Sequence, residues 1–119
     1  MSRVTVYGIP NCDTVKKARA WLAEAGFDVT FHDLRKDGVP PAELDGWLQR
    51  FGWERLVNRA GTTWRRLDDA TRAAVTDAAS AKALLLEQPS LIKRPVVHWH
   101  EAGRWTLGFG PNFGPAFGR

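Results

Sequence analysis

Among 119 residues there is a single cysteine, Cys12, set in Tyr7-Gly8-Ile9-Pro10-Asn11-Cys12-Asp13-Thr14-Val15-Lys16-Lys17. Val4, Val6 and Tyr7 form a short β-branched and aromatic run closed by Gly8 and Pro10, and helical spacing begins at Asp13. The thiol is therefore expected where a strand turns into a helix. Unpaired N–H groups and the positive end of the helix dipole favour thiolate over thiol at such a corner. A thiolate at neutral pH is a nucleophile toward disulfides and other oxidised centres. A free cysteine also packs well as a small hydrophobe, but its polar neighbours Asn11 and Asp13 argue for an accessible site. The Asp13 carboxylate opposes the thiolate and Lys16, one turn on, can compensate; the sequence leaves the balance between them open.

The other residues with chemistry to offer are arginines and histidines. Arg94 stands before Pro95, and its fork of donors suits bidentate contact with a carboxylate or oxyanion. Arg55, Arg59, Arg65 and Arg66 are dense in one stretch; such side chains commonly lie over tryptophans or pair with acids such as Asp68 and Asp69. His98 and His100 alternate onto one strand face, and with His32 they give no metal-ligand spacing to Cys12, so no metal is expected. One cysteine closes no disulfide within the chain.

The elements that must position these groups can be read in order. Asp13 to Ala25 repeats Val15, Ala18, Trp21, Leu22 and Ala25 at helical spacing and ends at Gly26, with Asn11, Asp13 or Thr14 as candidate caps. Phe27 to Leu34 alternates as a half-buried strand. A helix between two strands is a βαβ unit with parallel strands. After the Lys36-to-Pro41 loop, a helix from near Pro41 carries Leu44, Trp47, Leu48 and Phe51 to Gly52. Trp53 to Leu67 reads as a short helix, a Gly-Thr-Thr loop and a further turn. Asp68 or Asp69 is expected to cap a helix through Ala79, and Ser80 to open another ending before Pro89. Pro95 to His100 and Arg104 to Phe109 form an antiparallel hairpin about Gly103. Phe113 and Phe117 are spaced for one helical turn against the sheet. The six tryptophans are assigned to core and helix–sheet contacts.

Composition narrows the class. With 44% hydrophobic and 25% charged residues, the chain matches an ordinary globular domain, and its length suits one domain. Uninterrupted apolar runs reach only four residues, as at Ala83 to Leu86, so no membrane span or signal segment is expected and the place of work is expected to be the cytoplasm. The net charge of +4 comes without a basic block. It fits a small anionic substrate or an acidic partner better than nucleic acid.

The order of elements, with a cysteine at the first strand–helix junction and a proline opening the third strand, resembles the thioredoxin fold. Asn11 to Ala18, Asn58-Arg59-Ala60-Gly61-Thr62-Thr63-Trp64 and Leu91 to Val97 narrow the likeness to the ArsC/Spx family, nearest the YffB type, over nearly the whole chain. The resemblance implies an α/β (α+β) thioredoxin-like domain, with a four-stranded mixed sheet and a helical subdomain inserted at roughly 40–90. It implies a cis bond before Pro95. It further implies catalysis by Cys12, with Asn11, Asp13, Thr14, Lys16, Arg59, Arg94 and Pro95 around substrate or glutathione.

The implied activity is a monothiol reductase acting on a small oxidised or anionic substrate, with glutathione as co-substrate, no bound cofactor, and a monomeric state. Gly8 replaces a histidine usual in arsenate reductases, Leu107 falls near one family arginine, and Arg59 meets another only approximately; these departures weigh against arsenate itself. Val15 stands where Spx-like regulators of RNA polymerase often carry a second cysteine, so a resolving thiol must come from another molecule. An Spx-like binding protein and a glutathionylation sensor are the alternatives.

Overall fold

The computed structural model describes residues 2–111, 113 and 114. Among these residues one sheet contains β1 (Arg3–Gly8), β2 (Asp28–Asp33), β3 (Val96–Trp99) and β4 (Arg104–Leu107). Its order is β2-β1-β3-β4. β1 and β2 run parallel, whereas β1–β3 and β3–β4 are antiparallel. This mixed sheet with its helices is the expected α/β thioredoxin-like architecture. The chain divides into two compact units, 1–37 with 94–119, and 38–93.

In the first unit, α1 (Asp13–Glu24) connects β1 to β2. Its repeat buries Val15, Ala18 and Leu22. Alternation along the strands sends Val4, Val6, Val97 and Trp99 into the same core, with Phe113. Trp99 is its largest member: Phe27, Trp21 and Phe113 surround it with ring centroids 5.2–6.5 Å away. Burying an indole also requires a partner for its N–H, and Trp99 Nε1 donates to the buried Thr106 hydroxyl at 3.0 Å. Truncating such a ring to alanine costs about 3–5 kcal/mol. Phe113 belongs to this core, and its N–H donates to Gly110 O at 3.0 Å; the helical turn expected from Phe113 to Phe117 lies outside the described residues.

The strands of the hairpin are shorter than their apolar runs. β3 starts after Pro95, which has no N–H to give a neighbour, and β4 stops at Leu107 because Gly108 turns to φ 86°. At this same end of the sheet, Gly8 lets α1 approach β1 closely. A Cβ there would stand 2.8 Å from Val15 Cγ2.

The second unit is helical: α2 (Pro41–Phe51), α3 (Trp53–Leu56), α4 (Thr62–Arg66), α5 (Asp69–Ala73), α6 (Ala78–Glu87) and a 3-10 turn at Pro89–Leu91. Its buried side chains include Leu44, Trp47, Leu56, Leu85, Leu91 and Ile92. Gly52, at φ 82°, ends α2 and leads directly into α3. Val57, just after α3, and Ile92 form an antiparallel bridge, reinforced by Asn58 N–H to Leu91 O at 2.7 Å and Lys93 N–H to Leu56 O at 2.8 Å.

The single helix expected through Ala79 is in fact two. Asp68 caps α5 through the Thr71 N–H at 2.7 Å, and the chain leaves helix after Ala73. Asp77 then caps α6, accepting from Ser80 N–H at 2.9 Å while Ser80 Oγ reaches the Asp77 N–H at 3.1 Å. This reciprocal box outcompetes a continuous helix for the backbone groups of Thr76 and Asp77. Ser80 is thus the third residue of α6, not its opening one.

Candidate active site

Cys12 itself occupies the N-cap position of α1, with φ −95° and ψ 124°. None of the anticipated caps, Asn11, Asp13 or Thr14, bonds the helix start through its side chain. The backbone is fixed by local turns: Cys12 N–H donates to Ile9 O at 3.2 Å and Cys12 O accepts from Lys16 N–H at 2.9 Å. In most helices an N-cap oxygen receives the free N–H groups of the first turn. Here a half-buried sulfur stands in that place.

The electrostatic consequence can be assigned group by group. Burial is the largest single influence and pushes the Cys12 thiol up. The Val15 N–H, a hydrogen bond from the Arg94 side chain, the Arg94 charge and the Thr14 N–H together outweigh it. The net result is a thiol held below its ordinary pKa. These donors and this cation all favour the charged form.

Arg94 and Cys12 are distant in sequence and adjacent in space because β3 pairs antiparallel with β1, placing Tyr7 opposite Val96. The Arg94–Pro95 bond is cis, as the resemblance implies, and Pro95 is buried, with its carbonyl accepting from Gly108 N–H at 2.9 Å. Asn11 and Asp13 are exposed on either side of the sulfur, Thr14 is half-buried, and the Lys16 side chain is exposed. The cation acting on the sulfur is Arg94.

Arg59 belongs to the helical unit, where its guanidinium lies 6.0 Å over the Trp53 ring. Arg65 donates to Ala60 O at 2.6 Å. The arginine that pairs with Asp69 is Arg72, which also donates to Leu67 O. Among the described residues no group of three His, Cys, Asp or Glu side chains is placed to hold a metal. His98 instead stacks on Trp105 at 4.1 Å, and His100 Nε2 and Thr5 Oγ1 share a hydrogen bond of 2.8 Å.

Beside the Cys12 corner lies a cleft of about 400 Å³ lined by Ile9, Pro10, Asn11, Asp33, Arg35 and Lys36. The periodic pattern points to no such feature, since Arg35 and Lys36 read as the start of a polar loop. The available signal was two adjacent cations immediately after a strand parallel to β1.

The sequence profile of the ArsC family matches residues 7–112. The chain belongs to the ArsC family. A solved YffB protein is similar at 46% identity and TM-score 0.83, over 92% of this chain and 93% of that one. An ArsC-related protein of Brucella melitensis, described as related to arsenate reductase, is 51% identical over 92% of this chain and 88% of that one, with TM-score 0.73. The global transcriptional regulator Spx of Streptococcus pyogenes is 28% identical over 89% of this chain and 78% of its own length. ArsC-family relatives thus include both reductase-related and regulatory proteins. Among the described residues no helix is long and apolar enough to cross a membrane.

Proposed function

We propose that this chain is a glutathione-dependent monothiol reductase acting on a small oxidised or anionic substrate. The observation that carries the reading is the placement of Cys12 at the N-cap of α1 with Arg94 hydrogen-bonded to it, which holds the thiol below its ordinary pKa. With a disulfide substrate, the Cys12 thiolate attacks one sulfur, and the other leaves with the bonding pair as thiolate and takes up a proton. Glutathione thiolate then attacks the substrate-derived sulfur of the mixed disulfide, releasing Cys12 thiolate and a glutathione–substrate disulfide. The Val15 and Thr14 N–H groups and Arg94 offset negative charge on the cysteine sulfur as it departs. With one cysteine in the chain, the resolving thiol must be supplied from outside.

The test is turnover of bis(2-hydroxyethyl) disulfide with glutathione. The wild type is expected to turn over and Cys12→Ser to be inactive while retaining its fold; equal activity in the variant removes the proposal. The similarity to Spx supports a second reading, an RNA polymerase-binding regulator. Capture of RNA polymerase by both wild type and Cys12→Ser, with no turnover by either, would reverse the ranking. Formation of a stable Cys12–glutathione adduct under mild oxidant without turnover would instead mark a glutathionylation sensor.

A further inference from the structure

We propose that the cleft beside Cys12 is a carboxylate-recognition subsite for the thiol or disulfide partner, with Arg35 and Lys36 as its specificity-determining residues. The proposal rests on the thiol reactivity proposed above and adds the chemical class of the partner.

β1 and β2 are parallel, so their carboxyl ends open on the same edge of the sheet. Leu34 N–H to Gly8 O, at 2.9 Å, ties those ends together. The turn after β1 contributes Ile9, Pro10 and Asn11; β2 contributes its last residue, Asp33, and the turn after it contributes Arg35 and Lys36. A crevice outside the carboxyl ends of parallel strands is a favoured position for ligands in open α/β sheets. Asn11 is adjacent to Cys12 in sequence, and the Cys12 N–H to Ile9 O bond closes the turn that carries the cleft residues Ile9, Pro10 and Asn11 into the sulfur-bearing residue.

The charges of the second turn divide into engaged and available groups. Asp33 Oδ1 accepts the N–H groups of Arg35 and Lys36 at 2.9 and 3.1 Å, and Asp37 Oδ2 accepts the Asp33 N–H at 3.2 Å. The two carboxylates thereby hold the turn in shape. The side chains of Arg35 and Lys36 are exposed, line the cleft and make no ion pair among the described residues. A guanidinium, an ammonium and the Asn11 amide beside the apolar edges of Ile9 and Pro10 fit a carboxylate carried on a short peptide-like or aryl body.

The experiment measures second-order rate constants of the reduced chain with three disulfides: dianionic 5,5′-dithiobis(2-nitrobenzoate), neutral bis(2-hydroxyethyl) disulfide and cationic cystamine. Arg35→Gln and Lys36→Gln are made singly and together. The ratio of the anionic to the neutral rate constant is expected to fall by about threefold in each single variant and about tenfold in the double variant, the size of two partly screened charge contacts. The cationic-to-neutral ratio is expected to rise. Arg3→Gln, at the opposite end of β1 where Arg3 pairs with Glu101 at 3.7 Å, removes the same charge as either single variant and should leave the anionic-to-neutral ratio in place. An equal effect of Arg3→Gln would show a long-range field and overturn the subsite. Reaction of the wild type with the neutral disulfide, but with ratios unmoved by the cleft variants, would overturn it while leaving the thiol chemistry standing. Failure of the wild type to react with any of the three would remove the thiol reading and the subsite together.

Discussion

Two helix starts in this chain solve the same problem differently. At α6, Asp77 and Ser80 exchange side-chain and backbone hydrogen bonds, so the exposed N–H groups of the first turn are given protein partners. At α1 the equivalent position holds Cys12, and no side-chain oxygen takes the first-turn N–H groups. A carboxylate cap serves stability and leaves nothing for a reaction. The sulfur cap does the reverse: the N–H groups of Thr14 and Val15 and the Arg94 guanidinium bear on an atom whose charge can be spent in bond formation.

Exchanging the two solutions should have the largest effect. Cys12→Asp places a carboxylate cap on α1 next to Arg94; disulfide turnover is expected to vanish, while denaturant unfolding shows a gain of about 1 kcal/mol from the new cap. A loss of stability would mean that the first turn of α1 is not open to a capping side chain.

Arg94→Gln removes the cation and leaves the helix start alone. The pH midpoint for Cys12 alkylation by iodoacetamide is expected to move upward, and the rate below that midpoint to fall, because the cation that favours the thiolate is gone. The sign follows from the depressed native pKa: the thiolate is favoured in the folded chain, so this contribution to stability is present above the unfolded thiol pKa and lost as pH falls through the folded value. An unmoved midpoint would assign the shift to the backbone donors alone.

Gly8→Ala tests how closely α1 must sit on β1. Its new methyl would stand 2.8 and 3.1 Å from the two Val15 methyl groups, and overpacking of this kind costs about 1–3 kcal/mol. Pairing it with Val15→Ala should recover part of that cost, measured as a non-additive denaturant double-mutant cycle. Additive losses would show that the two sites are independent.

The smallest effect is expected at the other helix start. Asp77→Ala should lower the urea midpoint modestly and leave the Cys12 alkylation rate unchanged. Hydrogen bonds from the Ser80 backbone and side chain hold the Asp77 carboxyl below its ordinary pKa. Its contribution is therefore present above the unfolded carboxyl pKa and disappears as pH falls through the lower folded value, so wild type and variant should converge in acid.

The order of strands and helices was legible in alternation and helical spacing, because burial on one face imposes those periods. The break between α5 and α6 was not. Ala70 to Ala79 contains no proline or glycine, and the interruption depends on two side-chain bonds between Asp77 and Ser80. Cys12 was legible as a thiol at a strand–helix corner, and the family resemblance put Arg94 at the same site. What periodicity alone did not show is the strand pairing, Tyr7 opposite Val96, that brings the two together. The cleft cations were hidden for a related reason, since a loop's polarity does not tell where the neighbouring loop will lie.

By itself the amino-acid sequence determined a lone nucleophile at the end of a first strand, the periods of the elements around it, and a proline preceded by arginine at the start of a later strand. Those properties are local, set by spacing, turn residues and side-chain type. Only the tertiary structure decided the register that sets Val96 opposite Tyr7 and so carries Arg94 to the sulfur, and that the turns after two parallel strands enclose a cleft with two cations. Both depend on which strands become neighbours, a choice made by burying Val4, Val6, Val97 and Trp99 in one core.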